Sequence, residues 1–368
     1  MATASHSSLA LKSARAYSGR MPKALRKTLP KDFEAMLEQG DFAEITRALE
    51  GCLPDARGGY GKQTALHFAK VSDELTRWLV ARGADLNAED TWGNAPLHIR
   101  IAHGGKIDVL LDLGADVHHM SRSLGSPLHE AADKHSIPAA TLLLDRGAKI
   151  DLPNRQGRTP LELALERCSN SRLKTMAPMA RFLLDRGAER RPAMKEAVKR
   201  LGESFEFHRE GFAVSGVGEA TAALEGLYAM FDVPAVPRRR IHDGVSPIRP
   251  NATTWEEQHD ELWSLLVPSS GPARTVQGEV VRIAGRIADE ICRNGGANWD
   301  PAYREMACAF ETHVRSGVAL PDGDLTTVAA IVRALPRDGG LDEIARLGVR
   351  WVQLNPIPVP LAPPKYKR

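Results

Sequence analysis

The chain has 368 residues, enough for two domains that each bury a sizeable core. Hydrophobic residues make up 43% and charged residues 26%, as in ordinary globular proteins, and a net charge of +3 is too small to indicate a nucleic-acid partner. No uninterrupted apolar run reaches the length of about 18 residues that a membrane span needs. The four scattered cysteines favour free thiols in a reducing, cytoplasmic compartment over a disulfide framework. Arginine outnumbers lysine 35 to 14, which indicates a GC-rich, bacterial gene.

The first 30 residues form a basic segment without a single acidic residue. Serines and alanines separate its cations, and this composition is typical of a solvated chain that cannot bury a core. We therefore predict a flexible basic tail over residues 1–30. A targeting or translocation signal has a similar composition and is the alternative.

Four short segments that follow the tail are similar to one another, and each precedes an apolar stretch and a Gly-Ala pair. A Thr or Ser at the first position can cap a helix, and a proline next to it loses no hydrogen bond. The later glycine suits the left-handed conformation that ends a helix. The segments are Thr64–His67, Ala95–His98, Ser126–His129 and Thr159–Glu162, which read TALH, APLH, SPLH and TPLE.

The spacing between one repeat and the next is constant, whereas the spacing within a repeat varies. From the glycine that ends one repeat to the leucine of the next signature is 14 residues in all three cases. From that leucine to the glycine within a repeat, the spacing is 17, 17, 19 and 26 residues. The pattern therefore predicts loops of fixed length between helix pairs of variable length.

This pattern resembles the ankyrin repeat, whose T-P-L-H signature recurs about every 33 residues. The resemblance implies an all-α, ankyrin-type helical solenoid with finger loops over residues 31–190, with about five repeats. A helical pair over 32–53 would be a degenerate first repeat. The resemblance also implies that His67, His98 and His129 tie neighbouring repeats together, which we favour over a stack of metal ligands.

In ankyrin-like arrays the finger loops and the exposed side of the first helices form a concave face that selects a protein partner. The resemblance therefore implies a non-catalytic binding protein with no cofactor and no metal, whose partner the sequence does not identify. We single out Trp92, because aromatic residues dominate binding energy at interfaces. Packing of this residue on the neighbouring repeat is the alternative. The predicted partner-binding residues are Tyr60, Lys62, Gln63, Thr91, Trp92, Asn94, Arg122, Ser123, Asp133, Lys134, Arg155, Gln156 and Arg158.

After residue 190 the period is lost. Amphipathic stretches predict a helical extension over 191–233, and prolines with the run Arg238–Arg240 predict a solvated linker over 234–252. A separate α-helical bundle of about five helices is expected over 253–355. The proline-rich basic tail over 356–368 is expected to be extended and to add nothing to a packed core.

Carboxylates in this second half provide the alternative function. Glu279, Asp289 and Asp300 could act together as acid and base, which would make the chain an enzyme or toxin whose repeats recruit the substrate. The same helix places arginines three or four residues from Glu279 and Asp289, a spacing typical of a solvated ion-pair face. We therefore favour the non-catalytic binder, for which an immunity-type or effector-type role in bacteria is one hypothesis.

Overall fold

The computed structural model describes residues 24–39, 41–337 and 339–366. Residues 1–23 of the predicted basic tail lie outside the described residues. Within the described residues, sixteen α-helices and one three-stranded sheet are present, and none of these helices is long and apolar enough to cross a membrane. The chain forms two compact units: the first runs to Arg167 and includes Phe182–Glu189, and the second comprises Cys168–Arg181 and everything from Arg190 onward.

The first unit consists of short helices and a small sheet, and its first two helices lie between the first two strands in sequence. In the sheet, the strand Cys52–Gly58 pairs in parallel with Arg26–Thr28 and antiparallel with Gln63–Thr64. The sequence did not predict these strands, because they are short and lack a clean alternation of apolar and polar residues. The elements are β1 (Arg26–Thr28), α1 (Phe33–Gln39), α2 (Phe42–Glu50), β2 (Cys52–Gly58), β3 (Gln63–Thr64), α3 (Asp73–Ala81), α4 (Pro96–Ala102), α5 (Asp108–Asp112), α6 (Pro127–Asp133), α7 (Ile137–Asp145) and α8 (Pro160–Arg167).

The glycines of the Gly-Ala pairs end the helices as the sequence predicts. All four have a φ angle between +85° and +97°, in the left-handed region. The alanine that follows each glycine donates its N–H to a carbonyl five residues earlier, as between Ala115 and Leu110 at 2.9 Å. This is the bonding pattern of a Schellman motif, which satisfies carbonyls that the helix end leaves open.

The first signature segment departs from the prediction of a short helix. Its residues Ala65–His67 form a single 3-10 turn, whereas α4 and α6 have seven residues each. The reason is that Ser72 caps α3 only six residues after Leu66, through a bond to the N–H of Leu75 at 3.1 Å. The early start of α3 leaves no room for a full helix before it.

In the described residues of the second unit, the regular secondary structure is helical apart from one isolated β-bridge. Its five last helices share a core that includes Leu262, Ile283, Phe310 and the fully buried Trp351. Side chains cap three of these helix starts, at Thr254, Thr275 and Asp300, and Thr254 forms a capping box with Glu257. The helices are α9 (Leu173–Asp185, which the first unit shares), α10 (Pro192–His208), α11 (Val214–Phe231), α12 (Trp255–Leu266), α13 (Val276–Asn294), α14 (Pro301–Val314), α15 (Asp322–Ala334) and α16 (Leu341–Leu354).

The segment between α11 and α12 is not the wholly solvated linker that the sequence suggests. Arg239 donates to the carbonyls of Ser264 at 2.5 Å and Trp263 at 3.2 Å, and also to that of Val267. Its guanidinium lies 4.3 Å from the ring centroid of Phe207. The prediction is therefore wrong for Arg239, because the carbonyls at the end of α12 need a donor and attract a positive charge.

The segment from Asn355 to Tyr366, here called the strap, is extended as predicted but packs onto the bundle. The Gln277 side chain donates to the carbonyls of Asn355 and Ile357 and accepts the N–H of Val359, at 2.8 to 3.0 Å. Tyr366 is only 7% exposed and joins the core. The prediction that this segment adds nothing to a core is wrong, because a buried amide and a backbone pairing satisfy its polar groups.

Candidate protein-binding surface

The second, third and fourth finger loops are each a turn that a short polar side chain closes. Asp90 accepts the N–H groups of Trp92 and Asn94 at 2.8 and 2.9 Å. Ser121 and Asn154 close the next two turns in the same way. The sequence analysis missed these residues, although each lies five positions before the first residue of its signature segment. These turns give the last three fingers a similar shape.

Main-chain hydrogen bonds join consecutive fingers at their tips. The N–H and the hydroxyl of Thr91 both donate to the carbonyl of Gly61 at 2.9 Å. Arg122 donates its N–H to the carbonyl of Trp92 at 3.2 Å. The tips of the first three fingers therefore form a continuous edge rather than independent loops.

Two aromatic side chains stand on this edge. Tyr60 is 93% exposed and Trp92 is 43% exposed, with ring centroids 6.0 Å apart. The indole lies over Gly61, where an added Cβ would be 2.6 Å from a ring carbon. Trp92 thus packs on the neighbouring finger on one side and keeps a free face on the other.

Positively charged side chains lie on the first, third and fourth fingers. Lys62 and Arg155 are exposed and, among residues 24–39, 41–337 and 339–366, have no ion-pair partner. Arg122 is 3.5 Å from the carboxylate of Glu89 and remains 62% exposed. We call Tyr60, Lys62, Trp92, Arg122 and Arg155 the finger row.

The remaining predicted residues have mixed positions. Ser123, Lys134 and Gln156 are exposed, Gln63 is half-buried, and Arg158 pairs with Glu166 at 2.8 Å. Asn94 and Asp133 are buried at 8% and 4% exposure.

Asn94 and Asp133 connect parts of the array. The side-chain oxygen of Asn94 accepts a hydrogen bond from the hydroxyl of Ser123 at 3.2 Å. The carboxylate of Asp133 accepts one from the guanidinium of Arg167 at 2.8 Å. Because these two side chains are engaged inside the array, we leave them out of the contact surface proposed below.

The recurring histidines bond one repeat to the next, which confirms the prediction for them. In His98, Nδ1 accepts the N–H of Ala95 at 3.3 Å, so Nε2 carries the proton and donates to the carbonyl of Gly125 at 2.9 Å. His67 and His129 repeat the arrangement toward the carbonyls of Asn94 and Arg158. Burial lowers the pKa of His98 to about 4, which keeps the ring neutral.

A cleft of about 540 Å³ opens beside the first signature segment. It lies where that segment has a single turn instead of a helix. Phe68, Leu37 and Ile99 provide apolar walls, while Glu34 and Glu38 provide carboxylates. We call it the inner cleft; its further lining residues are Gln63, His67, Ala69, Lys70, His103, Gly104 and Gly105.

The three carboxylates proposed for catalysis each make a different structural contact. Asp289 is exposed and pairs with Arg293 at 2.9 Å, and Asp300 caps α14 through the N–H of Tyr303. Glu279 is fully buried and pairs with Arg282. The described residues contain no group of three His, Cys, Asp or Glu side chains that could hold a metal ion.

The predicted solvated ion-pair face is therefore wrong at Glu279 and Arg282. Their carboxylate and guanidinium form two bonds, at 2.7 and 2.9 Å, with side-chain exposures of 0% and 1%. Burial alone would raise the pKa of Glu279, but the bonds from Arg282, the N–H of Ala273 and Tyr366 outweigh it and lower the pKa. The carboxylate is ionised and fully occupied, which leaves it unsuited to proton transfer.

Comparison with known proteins supports the fold of the first unit. An ankyrin repeat protein of Rickettsia bellii is 36% identical over 136 residues, which are 36% of this chain and 69% of that protein. Cyclin-dependent kinase 4 inhibitor B of Rattus norvegicus is 31% identical over 111 residues, 30% of this chain and 85% of the inhibitor.

Longer relatives are matched over a small part of their length. Neurogenic locus notch homolog protein 1 of Danio rerio is 34% identical over 123 residues, 32% of this chain, and the chain spans only 5% of it. No family model matches the chain. The match to most of the Rickettsia protein, together with the repeated signature and the histidine bonds, shows that this chain belongs to the ankyrin repeat family.

Proposed function

We propose that this chain is a non-catalytic interaction protein that binds a protein partner through the finger row, the neighbouring exposed residues Ser123, Lys134 and Gln156, and the half-buried Gln63 and Arg158. The observation that carries the proposal is the exposed Tyr60–Trp92 pair on an edge fixed by main-chain bonds. Rigid aromatic residues lose little entropy on binding and supply much of the energy at interfaces. The alternating cations add hydrogen-bond donors beside them.

The setting of this binder is also a proposal. The excess of arginine over lysine and the relative from Rickettsia bellii support a bacterial protein, in which the array would neutralise a toxin or engage a host protein. The four cysteines are free, which supports a reducing, cytoplasmic location.

The test is a binding measurement with the full chain and two double variants. Trp92→Ala/Arg155→Ala removes an aromatic and a cation from the finger row, and Val245→Ala/Arg293→Ala removes an exposed apolar side chain and an exposed cation of the second unit. A partner first captured by the unaltered chain is identified and purified, and its dissociation constant is then measured with each variant. We expect the first variant to bind about 100-fold more weakly and the second to bind normally. Equal affinity of both variants would contradict the proposal.

A further inference from the structure

The inner cleft exists because one helix is missing from the array. The equivalent segments of the next two repeats are the seven-residue helices α4 and α6, whereas here the chain makes one 3-10 turn. The space of about 540 Å³ is comparable to that of ligand pockets. It shares Gln63 with the predicted partner-binding residues, so a bound partner can reach it.

The charges around the cleft leave one carboxylate free. Lys70 donates to Glu38 at 2.6 Å, and this bond lowers the pKa of Glu38. Glu34 is exposed and has no ion-pair partner anywhere in the described parts of the chain. His67 on the wall stays neutral because burial lowers its pKa. Glu34, Glu38 and Lys70 together give the lining one negative charge in excess.

The apolar walls add a second requirement for the occupant. Leu37, Phe68 and Ile99 can cover a hydrocarbon stem, but they offer no partner to a polar group. A ligand that packs on the apolar walls and also pairs with the carboxylate of Glu34 must combine an aliphatic chain with a terminal positive charge. Lysine and arginine side chains have this construction.

We propose that the inner cleft binds an arginine or lysine side chain of the protein partner, with the stem against Leu37 and Phe68 and the cation at Glu34. The inference rests on the proposed function, since the partner is the protein that the finger row captures. It adds a chemical requirement: the partner's contact surface carries an exposed basic residue that reaches past the finger at Gln63.

The experiment titrates the full chain with N-acetyl-arginine amide and follows its backbone amides by NMR. N-acetyl-citrulline amide, which has nearly the same shape but no charge, is the matched probe. We expect saturable shifts at Phe68, Lys70 and Gly105 with the arginine probe, and binding about tenfold weaker with citrulline. Equal binding of both probes, stronger binding of N-acetyl-glutamate amide, or no saturable shift would overturn the proposal.

Three variants separate the parts of the argument. Glu34→Gln removes the charge and is expected to weaken binding of the arginine probe about tenfold. Glu74→Gln, which removes an exposed carboxylate on α3, is expected to leave the binding unchanged. Leu37→Trp fills the cleft and keeps Glu34, so it should also abolish binding. Retained binding in Leu37→Trp would place the cation on the surface and overturn the cleft as its site.

Failure here can be told apart from failure of the proposed function. If Trp92→Ala/Arg155→Ala weakens binding of the partner and the arginine probe does not bind, the array is a protein binder and only the cleft assignment is wrong. If the finger-row variant has no effect, the proposed function fails whatever the probe does.

Discussion

The hydroxyl of Tyr366 donates to Glu279 Oε1 at 2.7 Å, across 87 positions of sequence. This bond joins the end of the strap to a fully buried ion pair. Tyr366→Phe keeps the ring and removes the donor, so one carboxylate oxygen loses a partner. We expect the second unit to lose about 1–3 kcal/mol of stability, measured as faster hydrogen exchange in α13. Tyr60→Phe is the control, because its hydroxyl is exposed, and it should change nothing.

The ion pair itself provides a second prediction. Arg282→Met leaves Glu279 charged and buried, and is expected to destabilise the second unit by about 3–5 kcal/mol. Arg346→Met removes a guanidinium with the same three-residue spacing from Glu343, but on a half-exposed surface, and should cost about 1 kcal/mol or less. Chemical unfolding of both variants measures the difference. Similar costs would mean that Glu279 is reached by water.

The histidine bonds make the first unit sensitive to acid. Burial lowers the pKa of His98 to about 4, below the value of 6.5 that applies to an exposed histidine. The unfolded chain therefore binds more protons between these two values, and stability falls as the pH decreases through them. The contribution of His98 is present above about pH 6.5, and roughly 3 kcal/mol is lost by about pH 4.

Urea unfolding of the array from pH 7.5 to pH 4.5 measures this loss. His98→Gln removes the titrating group, so it should flatten the dependence on pH while lowering stability at pH 7.5. An unaltered slope in the variant would show that other groups cause the acid sensitivity.

Arg239 is expected to stabilise the packing of α10 against α12. Arg239→Ala leaves the carbonyls at the end of α12 without their donor, and we expect a loss of about 2 kcal/mol in thermal or urea unfolding. Arg240→Ala is the matched control, because the neighbouring side chain is exposed. If both substitutions have the same effect, the contacts of Arg239 do not contribute.

One glycine substitution should disturb the packing of Trp92, and another should stabilise a helix. Gly61→Ala places a Cβ against the indole of Trp92, so it should displace the ring and change its fluorescence. Gly226→Ala meets no atom within 4 Å on α11 and should stabilise that helix by about 0.5–1 kcal/mol. An unchanged emission spectrum in Gly61→Ala would show that Trp92 does not rest on Gly61.

The sequence predicted those features that repeat or that act within a few residues. The glycine stops follow from a local pattern and the histidine bonds from the resemblance to the ankyrin repeat, and the structure has both. Burial of Glu279 and Arg282 was not predictable, because their spacing is equally typical of a solvated surface. The inner cleft was missed for a related reason: the signature at Thr64–His67 is intact, and only the position of the Ser72 cap removes the helix.

The way in which Gln277 holds the strap has a consequence for how this segment can vary. Its amide bonds only to main-chain atoms, and Ile357 and Val359 point outward with 65% and 46% exposure. Exchange of these side chains would leave the bonds in place. Deletion of a single residue would shift every later position and draw Tyr366 away from Glu279. Among homologues we therefore expect the residue types of this segment to vary while its length stays constant.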